Sequence, residues 1–268
     1  MTILPALSLA RRELVRFLRQ RHRVIGALAT PIVFWLLIGG GMGSSFRPIA
    51  GSGNSSGGYM EYFFPGTVLM ILLFTAIFST ISIIEDRREG FLQGVLVAPI
   101  SRLQIVIGKV LGGTVLAFGQ GLLFLLLAPL IGIQFSPAGF LLSCLVMLIV
   151  SVALTALGFC IAWRMNSTQG FHAIMNLFLM PMWFLSGALF PIEGAWTGLG
   201  LIMRVNPLSY GLDALRAAMY WQGVTDVAAA SATISHFAIS LGVSVLSAIL
   251  LIALATWIAV RPVSADFQ

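Results

Sequence analysis

The chain has 268 residues, of which 59% are hydrophobic and 9% charged, with a formal charge of +6 and a mean hydropathy of +1.00. A soluble domain carries about 25% charged residues, so the composition excludes a soluble enzyme or binding module and calls for an integral membrane protein. The basic excess would suggest nucleic acid in a soluble chain; here it reads as topology, with Lys and Arg collecting on one membrane face.

Leu4–Arg23 predicts an amphipathic helix along the membrane surface. Leu7, Leu14, Val15 and Leu18 fall on one side, and Arg11, Arg12, Arg16, Arg19 and Arg23 mostly on the other. That pattern suits the headgroup layer, with the arginines toward anionic lipid. Val24–Met42 is the first span, interrupted by Pro31, and is too long for the short apolar core of a cleaved signal peptide. Gly43–Tyr59 is a Gly/Ser loop without hydrophobic periodicity, and Phe63–Ile84 is the second span.

Glu85–Arg102, EDRREGFLQGVLVAPISR, is a polar island between two apolar runs. Its charges keep it out of the hydrocarbon. Phe91, Leu92, Val95 and Leu96 nevertheless form an apolar stripe at helical spacing, beside Glu85, Asp86, Arg87, Arg88 and Glu89. Such a stripe either rests on lipid or docks into a groove on a soluble partner.

Leu103–Ile133 is the third span. It is overlong, so a bend or end is expected at Gly119, Gly121 or Pro129. Phe135–Pro137 is a turn, Ala138–Trp163 the fourth span, Arg164–Gln169 a polar loop and Phe171–Phe190 the fifth span. Ala195–Tyr220 is apolar on average but holds Arg204, Asn206, Pro207, Asp213 and Arg216, which a lipid-facing span would not carry. Two short helices joined at Asn206-Pro207 and dipping into the interface satisfy both facts. Phe237–Val260 is the sixth span, and Arg261–Gln268 a polar tail.

Six spans put both termini on one side. Twelve basic residues (Arg11, Arg12, Arg16, Arg19, Arg21, Arg23, Arg87, Arg88, Arg102, Lys109, Arg164, Arg261) then share the cytoplasm with the island, and only Arg47, Arg204 and Arg216 lie outside. Reading Ala195–Tyr220 as a seventh span weakens this bias. Trp163 and Trp257 suit the inner interface, and Trp196 and Trp221 the outer one.

No catalytic set is legible. The chain has no GxxxxGK[ST] loop, no HExxH and no GxSxG. His22, His172 and His236 lie on different segments, and Cys144 and Cys160 sit about 24 Å apart along one predicted helix, beyond the roughly 7 Å reach of a disulfide. The GxxxG matches at Gly39–Gly43 and Gly108–Gly112 allow close helix approach. Gln120 and Asn176 read as interhelical hydrogen-bond partners, Lys109 as a side chain snorkelling to the headgroups, and Glu61 and Glu193 as solvated groups at the outer interface. An ion-coupled secondary carrier would place ionisable groups near the bilayer midplane, where these spans have almost none. A non-transporting membrane scaffold stays open as an alternative.

FFPGTVLM at Phe63, EDRREGFLQGVLVAPISRLQIVIGKVLGG at Glu85 and FLSGALFPIEGAWTGLGLIMRVNPLSYGLDALR at Phe184 occur in this order over nearly the whole chain. In them the chain resembles the permease subunits of type-2 ABC exporters, particularly daunorubicin-resistance-like drug exporters and nodulation-factor export permeases. The resemblance implies an all-α integral membrane fold: six transmembrane helices, an interfacial N-terminal helix, a cytoplasmic coupling helix and an extracellular re-entrant helical hairpin between spans 5 and 6. It implies outward movement of a drug, lipid or lipid-linked glycan across the inner (cytoplasmic) membrane. The partners implied are a nucleotide-binding ATPase subunit, which carries the ATP and magnesium, and a second permease, as a homodimer or with a homologue. This chain itself would bind no cofactor, and lipid but no nucleic acid. Glu85, Arg88, Glu89, Phe91, Leu92, Val95 and Leu96 would couple to the ATPase. Phe74, Phe78, Met175, Phe178 and Met182 would line the pathway at the dimer interface, and Asn206, Pro207, Tyr210, Asp213 and Arg216 would form the outer gate. Gly94 departs from a regular coupling helix and is expected to shorten or break it.

Overall fold

The computed structural model describes residues 4–42, 58–192, 196–221 and 227–260. Of the expected loop Gly43–Tyr59, residues 43–57 lie outside the described residues, whereas Gly58 caps α3 and Tyr59 begins it; Arg47, Glu193, the tail 261–268 and the side chains of Arg21 and Arg23 also lie outside them. Every regular element described is helical: α1 (Leu4–Arg19), α2 (Arg21–Gly41), α3 (Tyr59–Ser79), α4 (Ile81–Arg88), α5 (Phe91–Val97), α6 (Arg102–Leu125), α7 (Pro137–Ala162), α8 (Thr168–Phe184), α9 (Thr197–Val205), α10 (Pro207–Met219) and α11 (Val227–Val260). A 3-10 turn at Ala128–Ile131 follows α6.

Among the described residues, four stretches are long and apolar enough to cross a membrane: Tyr59–Arg88, Arg102–Ile131, Pro137–Ala162 and Ile234–Val260. Leu28–Gly41 is a shorter apolar stretch, and α8 has 17 residues. The first of the four, formed by α3 and α4 with only Thr80 between them, is the core of the subunit. Its most apolar window is 89% buried, against 22% for the last stretch. A helix apolar on every side belongs where protein surrounds it, and α3 has Phe63 through Leu73 buried without interruption.

Packing between apolar helices in lipid gains little from the hydrophobic effect and depends on close contact and hydrogen bonds. The glycines supply the contact. The space a Cβ would take at Gly113 is filled by Ser79 and Thr155, so α3, α6 and α7 meet there; Thr80 fills that space at Gly158. Polar groups reinforce the same core: Thr75 donates to Gln120 Oε1 across α3 and α6 at 2.5 Å, as expected for Gln120. Asn176 instead lies on the exposed side of α8.

Several boundaries differ from expectation. The surface helix stops at Arg19 because Gln20 leaves helical geometry, and α2 begins at once. α6 runs unbroken through Gly119 and Gly121; its end comes at Leu125, just before Pro129. At Gly121 the glycine admits Leu72 and Met147 instead of bending the helix. The expected fifth span is α8, which ends at Phe184, six residues before the expected Phe190. Residues 185–190 form turns, including Gly187 at φ +87°. The hairpin matches expectation in form, with Asn206 closing α9 and opening α10.

Side-chain contacts define two ends of the bundle. At one end Arg12 and Arg16 reach Asp86, Arg87 reaches residues 163–166, and Leu103 shares a groove with Trp257 and Val260. At the other, Tyr220 donates to the Glu61 carbonyl and Ser136 to that of Trp221.

Candidate functional site

At the first end the island is two helices, not one. α4 continues the core helix through Glu85–Arg88. The break falls at Gly90, with φ +77°, a left-handed conformation open chiefly to glycine. α5 then runs for seven residues straight through Gly94, where a Cβ would meet nothing within 4 Å. The expectation of a break at Gly94 is therefore corrected: the helix is short, and Gly90 sets where it starts.

The stripe expected to face a partner divides. Leu92 is 3% exposed and packs into the core, and Val95 and Leu96 are half-buried against it. These three fix α5 to its own bundle. The outward face is instead Phe91, Gln93, Gly94 and Val97, the last 87% exposed. Arg88 and Glu89 are exposed beside it and Glu85 is half-buried.

Beneath α5 lies an ionic cluster that joins three elements. Asp86 is fully buried. Arg12 donates to both its oxygens, at 2.8 and 3.0 Å. Arg16 adds a bond at 2.8 Å, and Lys109 donates to Oδ2. Lys109 also donates to Glu13 at 2.5 Å and to Ser82 at 3.3 Å. Arg16 reaches outward to Glu85 and Glu89, both at 3.0 Å. Arg12 covers the Phe91 ring at 3.7 Å from its centroid. Its hydrogen bond to Asp86 raises the guanidinium above its already high ordinary range, so the pair stays ionised.

Two expectations are corrected here. Lys109 does not snorkel: it is 5% exposed and held by two carboxylates. Nor do all the arginines of α1 face lipid, because Arg12 and Arg16 turn inward. The helix can sit this close because of the second GxxxG pair. A Cβ at Gly108 would lie 2.9 Å from the Ala6 carbonyl oxygen, and one at Gly112 would lie 2.8 Å from Glu13 Cβ. Sequence reasoning missed the cluster, although it left a signal. A lone lysine in an apolar run needs an acid partner, and four of the nine acids in the chain are Glu13, Glu85, Asp86 and Glu89. Arg87, also unassigned, covers the C-terminal end of α7 by donating to the carbonyls of Trp163 and Met165, and donates to Asn166 Oδ1 as well.

At the other end the turns after α8 expose carbonyls that side chains collect. Tyr62 and Arg216 both donate to Gly187, at 3.0 and 2.9 Å, and Tyr59 donates to Leu189 at 2.9 Å. Non-helical backbone within an apolar bundle requires such partners. Asn206 caps α10 through Leu208 N–H and donates to Met182. Pro207 takes the first helical position, where its missing N–H costs nothing. Arg216 also lies over the Tyr62 ring. Tyr210 is half-buried, and Asp213 is on the exposed side of α10. The structure thus joins Asn206 to the last turn of α8 and Arg216 to the turns that follow it.

The expected pathway residues are not all on one surface. α8 buries Phe171, Met175, Leu179 and Trp183, spaced four apart, against the core. Met175 is 1% exposed and points inward, away from any open face. Phe178 points outward at 64% exposure. Phe74 and Phe78 are half-buried on α3 with rings 5.8 Å apart, and Phe78 meets His172 at 4.9 Å. Met182 lines a small cavity with Pro207, Leu208 and Gly211. Among the described residues, no group of three His, Cys, Asp or Glu is placed to hold a metal ion.

Comparison with known proteins adds a family to this geometry. Residues 6–220 match the family described as ABC-2 type transporter, a range that includes the ionic cluster, α5 and the α9–α10 pair. The chain is 25% identical over 242 residues to a transport permease designated ycf38 from Cyanophora paradoxa, covering 89% of this chain and 81% of that one. It is 25% identical over 206 residues to Nodulation protein J of Rhizobium leguminosarum bv. viciae, covering 76% and 77%. It is 27% identical over 157 residues to YbhR of Escherichia coli (strain K12), named as a multidrug ABC transporter permease, covering 58% of this chain and 42% of that one.

Proposed function

The chain belongs to the ABC-2 type transporter permease family, and from that premise we propose that it is the membrane subunit of an ATP-driven exporter whose ATPase partner docks on α5. The ionic cluster carries this reading. Exposed Phe91, Gln93 and Val97 form a seat, and directly behind them Asp86 ties α4, α1 and α6 into one unit. A push on α5 is then delivered to three helices at once, and coupling motion into rigid-body movement requires such stiffness. Arg88 and Glu89 flank the seat and would pair with charges on the partner.

In this reading the α5 end is cytoplasmic, α2 and α8 complete six spans with the four long apolar stretches, and α9–α10 form the outer re-entrant gate. The basic bias of the α5 end supports that orientation. Two copies of the chain would face each other through α8, whose open side carries Ile174, Leu177 and Phe178 with Asn176 among them, and with Phe74 and Phe78 beside it. An uncharged face of this kind suits a hydrophobic or amphipathic substrate, such as a drug, lipid or lipid-linked glycan, moved outward. ATP and magnesium would be held by the partner, and this chain would contribute no catalytic group.

The test is Phe91→Asp together with Val97→Asp. The expected result is a permease present in membranes at parental level with ATP-dependent efflux abolished and ATPase co-purification lost. Undiminished efflux overturns the reading. Co-purification of no ATPase by the parent chain would instead favour a scaffold. Orientation is tested by cysteine labelling at Thr197, which is exposed; labelling only from the cytoplasmic side reverses the topology. Ser209 is unsuitable as a reporter because it is buried.

A further inference from the structure

α1 uses one face on α6 and leaves another unused. Ala6, Leu9, Ala10, Glu13 and Phe17 are buried. On the opposite face Leu4, Leu7, Val15 and Leu18 are exposed, two of them by more than 60%. Helical geometry places Arg11 in the middle of that apolar face and Arg19 on its edge. Both are exposed, and neither has an ion pair or hydrogen bond among the described residues, whereas Arg12 and Arg16 one step round the helix are committed to Asp86. Two free cations set into an apolar face do not suit a water-exposed surface. They suit the boundary where acyl chains meet phosphates, the leucines entering the first and the guanidinium groups reaching the second. Trp257, exposed at the same end of the bundle, is the residue type that settles at this boundary.

We infer that the outer face of α1 is a binding surface for anionic phospholipid, with headgroup phosphates on Arg11 and Arg19, and that this binding strengthens coupling. The link is mechanical. Arg11 and Arg19 lie on the same rigid helix as Arg12 and Arg16, so a helix seated on lipid presents its inner arginines to Asp86 in fixed register behind α5. The effect on coupling rests on the function proposed above; the lipid surface itself does not.

The experiment uses the permease–ATPase complex in vesicles of phosphatidylcholine with increasing phosphatidylglycerol, comparing the parent with R11Q/R19Q and R11K/R19K. Each basic residue near an anionic surface contributes about fivefold to binding, so the double Gln variant should lose about 25-fold of the affinity. Phosphatidylglycerol retained per subunit after delipidation should fall in R11Q/R19Q and persist in R11K/R19K. ATPase stimulation by phosphatidylglycerol should follow the same order, with the rate in pure phosphatidylcholine unchanged, and should weaken as salt is raised. Equal retention in all three proteins overturns the lipid surface. Loss of ATPase co-purification or of subunit pairing in R11Q/R19Q assigns the face to a protein partner and also overturns it. Retention that follows the arginines without any change in ATPase rate keeps the lipid surface and refutes only its effect on coupling.

Discussion

Asp86→Asn is the sharpest test of the ionic cluster. The substitution keeps the side-chain shape and removes one charge. In the parent, the carboxylate accepts four hydrogen bonds from Arg12, Arg16 and Lys109. In the variant, the amide nitrogen would point a donor at donors, and Lys109 would keep only Glu13 among its carboxylates. Removing one partner of a buried ion pair costs about 3–5 kcal/mol, and each 1.4 kcal/mol is about a tenfold change in equilibrium constant. The ratio of folded to unfolded protein at a given denaturant should therefore fall by about two to three and a half orders of magnitude on that scale. The assay is unfolding of the purified subunit in mixed micelles by increasing sodium dodecyl sulfate, followed by tryptophan fluorescence and circular dichroism. Lys109→Met alone should also destabilise. Because the two residues share one network, D86N/K109M should cost less than the sum of the single changes, with an interaction term of about 0.5–3 kcal/mol. A D86N protein within about 0.5 kcal/mol of the parent, or an additive cycle, refutes the claim that the cluster holds α1, α4 and α6 together.

Three further outcomes are expected. Gly90→Ala forces a side chain into a left-handed position at about 1–2 kcal/mol and should reduce efflux. Gly94→Ala fills space that is open in the subunit and gains up to about 1 kcal/mol of helix propensity, so it should hold or raise stability in micelle unfolding where Gly90→Ala lowers it, and that comparison separates the two glycines. Gly108→Leu should push α1 off α6, because even a Cβ there meets Ala6 and Leu9 within 3 Å; faster trypsin cleavage after Arg11 and Arg12 is the readout. Asn206→Ala loses the α10 cap at about 1 kcal/mol as well as the bond to Met182. Asn206→Asp keeps the cap but loses that donor, so in micelle unfolding it should fall between the parent and the alanine variant.

Much of this protein follows from the order of its residues. Apolar runs longer than 20 residues have no stable place but a bilayer, so the membrane class and the long helices are determined locally. Asn206-Pro207 determines the hairpin for the same kind of reason, since the residue before proline cannot stay helical and an asparagine there caps the next helix. Gly108 and Gly112 announce a close helix contact, and α1 is the helix that fills it. Sequence does not determine which way a side chain turns when two faces are available. Leu92 and Phe91 are neighbours of similar hydrophobicity, yet one anchors α5 and the other faces out, because only the packed bundle defines an inside for so short a helix. Met175 turns inward for the same reason. The largest departure is at Lys109. In isolation a lysine near a helix end reaches for headgroups, but folding brings Glu13 from 96 residues away and Asp86 from 23. Once buried with two carboxylates, its charge is held more strongly by them than by the membrane surface. Pairings between distant segments depend on which helices become neighbours, and that is decided only by the tertiary structure.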